Sequence, residues 1–247
     1  MPDIQMVVLV LVAFALAGML KGIVGFGLPT ISLAFLAATL GLHQAMALLV
    51  VPALVTNIWQ AFVGGHARVV LARIWPFLLM AGGTVWIGAL ALTRVDPGLL
   101  SGIFGLVLAS YAAMGLCRPR LAVPRRHEPW AGPALGAANG VITGMTGMFL
   151  LPGVPYLQGM GLGRDALVQA IGLHVVVMTA ALALSLRQGS LLTTDLMLLS
   201  ALATLPAVAG MAVGQALRRR LSEERFQRVL FVALFLIGLY MAGRSLF

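Results

Sequence analysis

The chain carries apolar runs long enough to cross a lipid bilayer, and it carries them almost end to end. A helix needs about 20 apolar residues to span the hydrocarbon core. By that ruler, long apolar blocks fall at about 4–24, 44–64, 72–93 and 98–117, and again at about 131–150, 165–186, 194–216 and 226–245. Two shorter blocks, about 28–41 and 151–161, follow the first block of each set. Only helices and closed barrels satisfy the backbone inside a bilayer. Runs of this length predict an all-α polytopic membrane protein with several short, broken or re-entrant helices.

Composition removes the soluble alternative. Hydrophobic residues make up 61% of the chain and charged residues 9%, against about 25% charged in an average soluble domain. The mean hydropathy of +1.03 leaves no polar surface to solvate a globule. The net charge of +9 comes from cations in the gaps between apolar blocks. Such cations face cytosolic loops and anionic lipid headgroups, not nucleic acid. The expected partners are therefore membrane lipids and a small anionic substrate, and a homo-oligomer is compatible with the sequence. The lone Cys117 cannot form an internal disulfide. No positive residue precedes the first apolar run, which continues past Ala13-Phe14-Ala15. It reads as a retained membrane helix and not a cleaved signal.

One hydrophilic stretch, "RPRLAVPRRHEP" at 118–129, divides the chain into halves at 1–117 and 130–247. It reads as a cytosolic linker. The segment "LTRVDPGLLSGIFGLVLASYAAMG" in the first half resembles "LRRRLSEERFQRVLFVALFLIGLYMAG" in the second. Each half has a glycine-rich break near its start, "KGIVGFGLPT" at 21–30 and "NGVITGMTG" at 139–147, followed by Pro29 and Pro152. The expectation is two tandem repeats of about four to five helical elements each. Charge tests their orientation. If each short block returns towards the side its predecessor came from, the repeats are inverted. Lys21, Arg68, Arg73, Arg118, Arg120, Arg125, Arg126, Arg164, Arg218, Arg219, Arg220, Arg225 and Arg228 then share one side. Only Arg94, Arg187 and Arg244 lie opposite. That bias favours inversion, with both termini outside.

The breaks carry the strongest local signal. Gly22, Gly25, Gly27 and Pro29 cannot sustain one regular helix. Broken backbone at membrane depth survives only where protein or a water-filled cavity satisfies it. Paired breaks in two repeats point to a transporter's central site, and freed amides at a half-helix start favour an anion. Close helix packing by glycine is the plainer alternative. Asn139, Thr143, Gly144, Thr146 and Gly147 form the second break. Asn57 and Gln60 share one helix face, and His174 lies near the middle of the matching block. Such polar groups inside a bilayer are functional candidates or interhelical bridges. His174 offers a route for proton coupling. Lys21, the only lysine, either attracts an anion or snorkels to the interface. His43, His66 and His127 are expected in solvated loops. Motifs for ATP binding, metal ligation, cofactors or nucleophilic catalysis are absent from the sequence, so no enzyme and no cofactor are expected. The rival to transport is a structural or assembly subunit of a membrane complex.

The segments "GMLKGIVGFGLPTISL", "GLHQAMALLVVPALVTNIWQAF" and "LPAVAGMAVGQALRRRLSEERFQRVLFVALFLIGLYMAG" resemble the sulfite exporter TauE/SafE family over essentially the whole chain. The resemblance implies a multi-pass transporter of the bacterial inner membrane. It would carry sulfite, a sulfonate or another small organic or sulfur-containing anion. The family is drawn with fewer crossings than full traversal by both short blocks requires, and re-entrant short blocks reconcile the two.

Overall fold

A computed structural model describes residues 3–25, 27–117, 122–218 and 223–245. Arg118, Arg120, Arg219, Arg220, Phe26 and Phe247 lie outside the described residues, as does the side chain of Arg225. The described chain forms eleven α-helices. The first half holds α1 (Ile4–Val24), α2 (Leu28–Leu40), α3 (Leu42–Leu48), α4 (Val50–Phe62), α5 (Ala67–Ala89) and α6 (Pro97–Cys117). The second holds α7 (Glu128–Thr146), α8 (Gly153–Gly159), α9 (Arg164–Gln188), α10 (Thr194–Arg218) and α11 (Glu223–Arg244).

Six helices are long and apolar enough to cross a membrane: α1, α5 with its 3-10 extension, α6, α9, α10 and α11. The α3–α4 pair passes together but bends by 44°. The block expected at 131–150 differs. Its helix ends at Thr146 and does not pass, because glycines, prolines, Asn139 and two threonines dilute its apolar content. The short block at 28–41 is α2, and the one at 151–161 shrinks to α8.

The α3–α4 bend has a chemical cause. Pro52 has no N–H to give the Leu48 carbonyl four residues earlier. Ser200 of α10 fills the gap. Its hydroxyl donates to Leu48 O at 2.7 Å and accepts from Val51 N–H at 3.1 Å.

Glycines set the closest crossings. A Cβ on Gly18 would strike the Ala207 carbonyl, and one on Gly22 the Met211 carbonyl, so α1 and α10 run side by side in one direction. In α7, Gly136, Gly140 and Gly144 meet the backbone of Phe77, Ala81 and Val85 of α5 in the same parallel sense. The last helices of the halves, α6 and α11, pack antiparallel, with Gly105 and Gly238 face to face. Small residues let helix backbones approach in this way where the bilayer supplies no hydrophobic drive. The end of α4 lies beside the start of α9, where Gln60 Nε2 donates to Val168 O at 3.0 Å. Its start lies beside the first turns of α10 at Ser200. Phe77 and Gly82 of α5 meet His174 and Val177 of α9 in the same order. So α1, α4 and α10 point one way, and α5, α7 and α9 the other. At the linker end, Arg73 forks onto Glu128 and also reaches Met160 O at 3.0 Å, joining α5 and α7 to the residue after α8.

Candidate functional site

Both breaks begin alike. Gly25 takes a left-handed conformation at φ 93° and donates its N–H to Lys21 O at 2.7 Å. Gly147 does the same at φ 70°, donating to Thr143 O at 2.7 Å. Glycine tolerates such φ values without a Cβ penalty.

After Gly25 the two breaks diverge. In the first, Gly27 is left-handed again at φ 99°, and α2 starts with Pro29 in its first turn and no side-chain cap. Lys21 is buried in the last turn of α1, 3% exposed, so it does not snorkel. Its Nζ donates to Asn57 Oδ1 at 3.0 Å, to Thr56 Oγ1 at 3.2 Å and to Thr56 O at 3.5 Å. These acceptors are neutral, and among the described residues no carboxylate pairs with Lys21. Asn57 is anchored through Nδ2 to Ala53 O at 2.8 Å.

In the second break the side chains satisfy the backbone. Asn139 Nδ2 donates to Phe149 O at 3.0 Å and to Leu151 O at 2.9 Å. Thr143 Oγ1 donates to Met148 O at 3.1 Å, and Thr146 Oγ1 accepts from Met148 N–H at 3.2 Å. Asn139 Oδ1 faces His174 Nε2 at 2.7 Å. Both amide hydrogens of Asn139 are committed, so Oδ1 accepts and the Nε2 of His174 carries the proton. The bare Nδ1 of His174 is buried and has no partner among the described residues. The ring rests 5.1 Å from that of Phe77.

The sequence candidates therefore fall into two groups and some outliers. Lys21, Asn57, Gly25, Gly27 and Pro29 belong to the first break. Asn139, Thr143, Thr146, Gly147 and His174 belong to the second. Gly22 and Gly144 sit in the α1–α10 and α5–α7 crossings. Gln60 points away from Lys21 and bridges to α9. His43 lies in α3, with Nε2 bonded to Leu92 O at 3.1 Å, and is not in a loop. His66 caps α5 and is exposed. His127 lies in a 3-10 turn against Trp130.

Sequence reading missed Thr56 and Gln169. Thr56 is the second anchor for Lys21. Gln169 is fully buried, accepts from His66 N–H at 2.7 Å and donates to Ala61 O at 3.3 Å. It also missed a register. The glycines at 18, 22 and 25 repeat their spacing at 140, 144 and 147, which sets Lys21 against Thr143. A separate cavity of about 490 Å³ opens at the far end of α2, lined by Thr39, His43, Ser101, Tyr240 and Arg244. None of the residues of the two breaks lines it.

The apolar helices, interrupted by two buried polar breaks, define a multi-pass membrane protein. A family model described as Sulfite exporter TauE/SafE matches residues 10–241, and the chain belongs to that family. No curated protein and no solved structure matches it.

Proposed function

We propose that the chain is a secondary transporter of a small anion in the bacterial inner membrane, with sulfite, a sulfonate or a related organic anion as cargo. One observation carries this reading: the ammonium of Lys21 is buried among neutral acceptors, with no carboxylate beside it among the described residues. A buried charge without a partner of opposite sign is costly, and an anionic cargo supplies that partner. Lys21, Asn57 and the amides around Gly25 and Gly27 form the binding end, with Pro29 fixing the start of α2. Asn139, Thr143, Thr146, Gly147 and His174 shape the opposing wall. Gly22 and Gly144 hold the helices close enough to build it. Gln60 closes the α4–α9 seam at the edge of the site. His174 carries proton coupling, and a proton arriving there lands on Nδ1.

The transport cycle rests on two inverted repeats, 1–117 and 130–247, around a cytosolic linker at 118–129. The shared glycine spacing supports the repeat. The opposed directions of α1 and α7, each packed on the long glycine-facing helix of the other half, support the inversion. Rocking then takes place between α1–α4 with α10 and α7–α9 with α5, around a site near the midplane. A reporter fused after Phe247 is expected on the outer side, and a cytosolic signal rejects the inversion. Proteoliposomes loaded with sulfite or sulfoacetate test the site. Gly25→Leu and His174→Ala are each expected to depress flux, and unchanged flux in both rejects it.

A further inference from the structure

We infer that the first break, and not the second, seats an oxygen of the transported anion, with the Thr30 hydroxyl as a donor to it; this rests on the anion-transport reading above. The start of α2 is open. This thirteen-residue helix has no side-chain cap and a proline in its first turn. Its remaining first-turn amides have no acceptor within the helix, and they lie at the positive end of its dipole.

A bare helix start is common, and Thr30 separates this one from the rest. The residue is 2% exposed, and its Oγ1 has no partner among the described residues. Elsewhere on α2 the hydroxyls bond back to their own helix. Ser32 donates to Leu28 O at 2.9 Å, and Thr39 donates to Phe35 O at 2.9 Å. A buried hydroxyl left unpaired burdens the fold, and a ligand oxygen relieves it.

Thr30 lines a void of about 10 Å³ with Gly27, Leu150 from the second break, and Tyr111 and Phe231 from α6 and α11. That volume is the smallest that takes one water or one oxygen atom. Tyr111 and Phe231 meet edge to face at 5.8 Å and close its wall. The rest of an anion enters only when α11 swings its ring aside. The second break lacks an equivalent opening for its hydroxyls, because Thr143 and Thr146 are already bonded to Met148. The ligand class is an oxyanion with an exposed acceptor oxygen, such as a sulfite or sulfonate group.

Thermal unfolding of the purified full chain, titrated with sulfite and with sulfoacetate against a chloride control, tests this. Thr30→Val is nearly isosteric and removes only the donor. It is expected to raise the half-saturating anion concentration about tenfold while leaving the anion-free melting temperature equal or higher. Thr30→Ser is expected to restore the response. Thr84→Val, which removes a hydroxyl bond from α5 to Ala137 O of α7 at 2.9 Å, is expected to do the reverse, lowering the anion-free melting temperature with little change in anion response. A Thr30→Val chain that binds within about twofold of the parent overturns the assignment; if Lys21→Met loses the response in the same assay, the transport reading survives. A parent chain that responds to neither anion overturns both.

Discussion

At the second break, Asn139, Thr143 and Thr146 reach into the turned backbone and take up Met148, Phe149 and Leu151. At the first, Gly25 and Gly27 turn the chain with no such helpers among the described residues, and the polar side chains nearby include a buried cation and a hydroxyl with no partner among those residues. The glycine spacing is identical in the two. One difference is the residue just before the second glycine of each set: lysine at 21, threonine at 143. A threonine can satisfy a carbonyl one turn away. A lysine cannot, because its ammonium lies beyond the turn and reaches α4 instead. The same glycine spacing thus accompanies two similar bends, and single residues satisfy the backbone of one while the other has no such bonds among the described residues.

The sharpest test of this asymmetry is Lys21→Met. Truncating one side of a buried charge pair costs about 2–5 kcal/mol, so anion flux in proteoliposomes is expected to fall at least about 30-fold. The melting temperature should change little, since the lost hydrogen bonds offset the relieved charge burial. A chain that transports normally without Lys21 ends the distinction between the breaks. Asn139→Leu should act on the other side of it. Two carbonyls and the His174 N–H lose their partner, and a loss of roughly 2–4 kcal/mol should appear as a lower melting temperature before any effect on anion affinity.

Where the breaks are alike, the effects should match. Gly18→Val and Gly140→Val each push a side chain into a neighbouring helix backbone. Both are expected to destabilise by about 1–3 kcal/mol, read by detergent-melting assays. A large difference between them would show that the two crossings are not equivalent. The smallest effect is expected from Gln60→Leu, which removes one interhelical hydrogen bond worth about 0.6 kcal/mol in a bilayer. Uptake should stay within about threefold of the parent, and a complete loss would move Gln60 into the binding site.

The helices were legible because bilayer thickness sets their length, and the blocks at 4–24, 165–186 and 194–216 sit within two or three residues of α1, α9 and α10. The block at 131–150 was less so. Its glycines serve the crossing with α5, and that packing cannot be read from hydropathy. Lys21 stood out as the only lysine, yet its fate was open between interface and interior. A side chain of that length reaches either, and only the position of Thr56 and Asn57 on α4 settles which. Thr30 carried no signal at all, since most threonines on helices bond to their own backbone.

The sequence by itself determined that this chain lives in a bilayer, that it is helical, that glycine interrupts it twice, and that it resembles a family of anion transporters. Those properties follow from local chemistry: apolar length, missing Cβ atoms and missing proline N–H groups. The tertiary structure alone decided which break is satisfied and which is open. That outcome depends on contacts between residues 35 positions apart, Lys21 with Thr56 and Asn139 with His174. Periodicity within one helix contains no information about the groups that another helix brings to it.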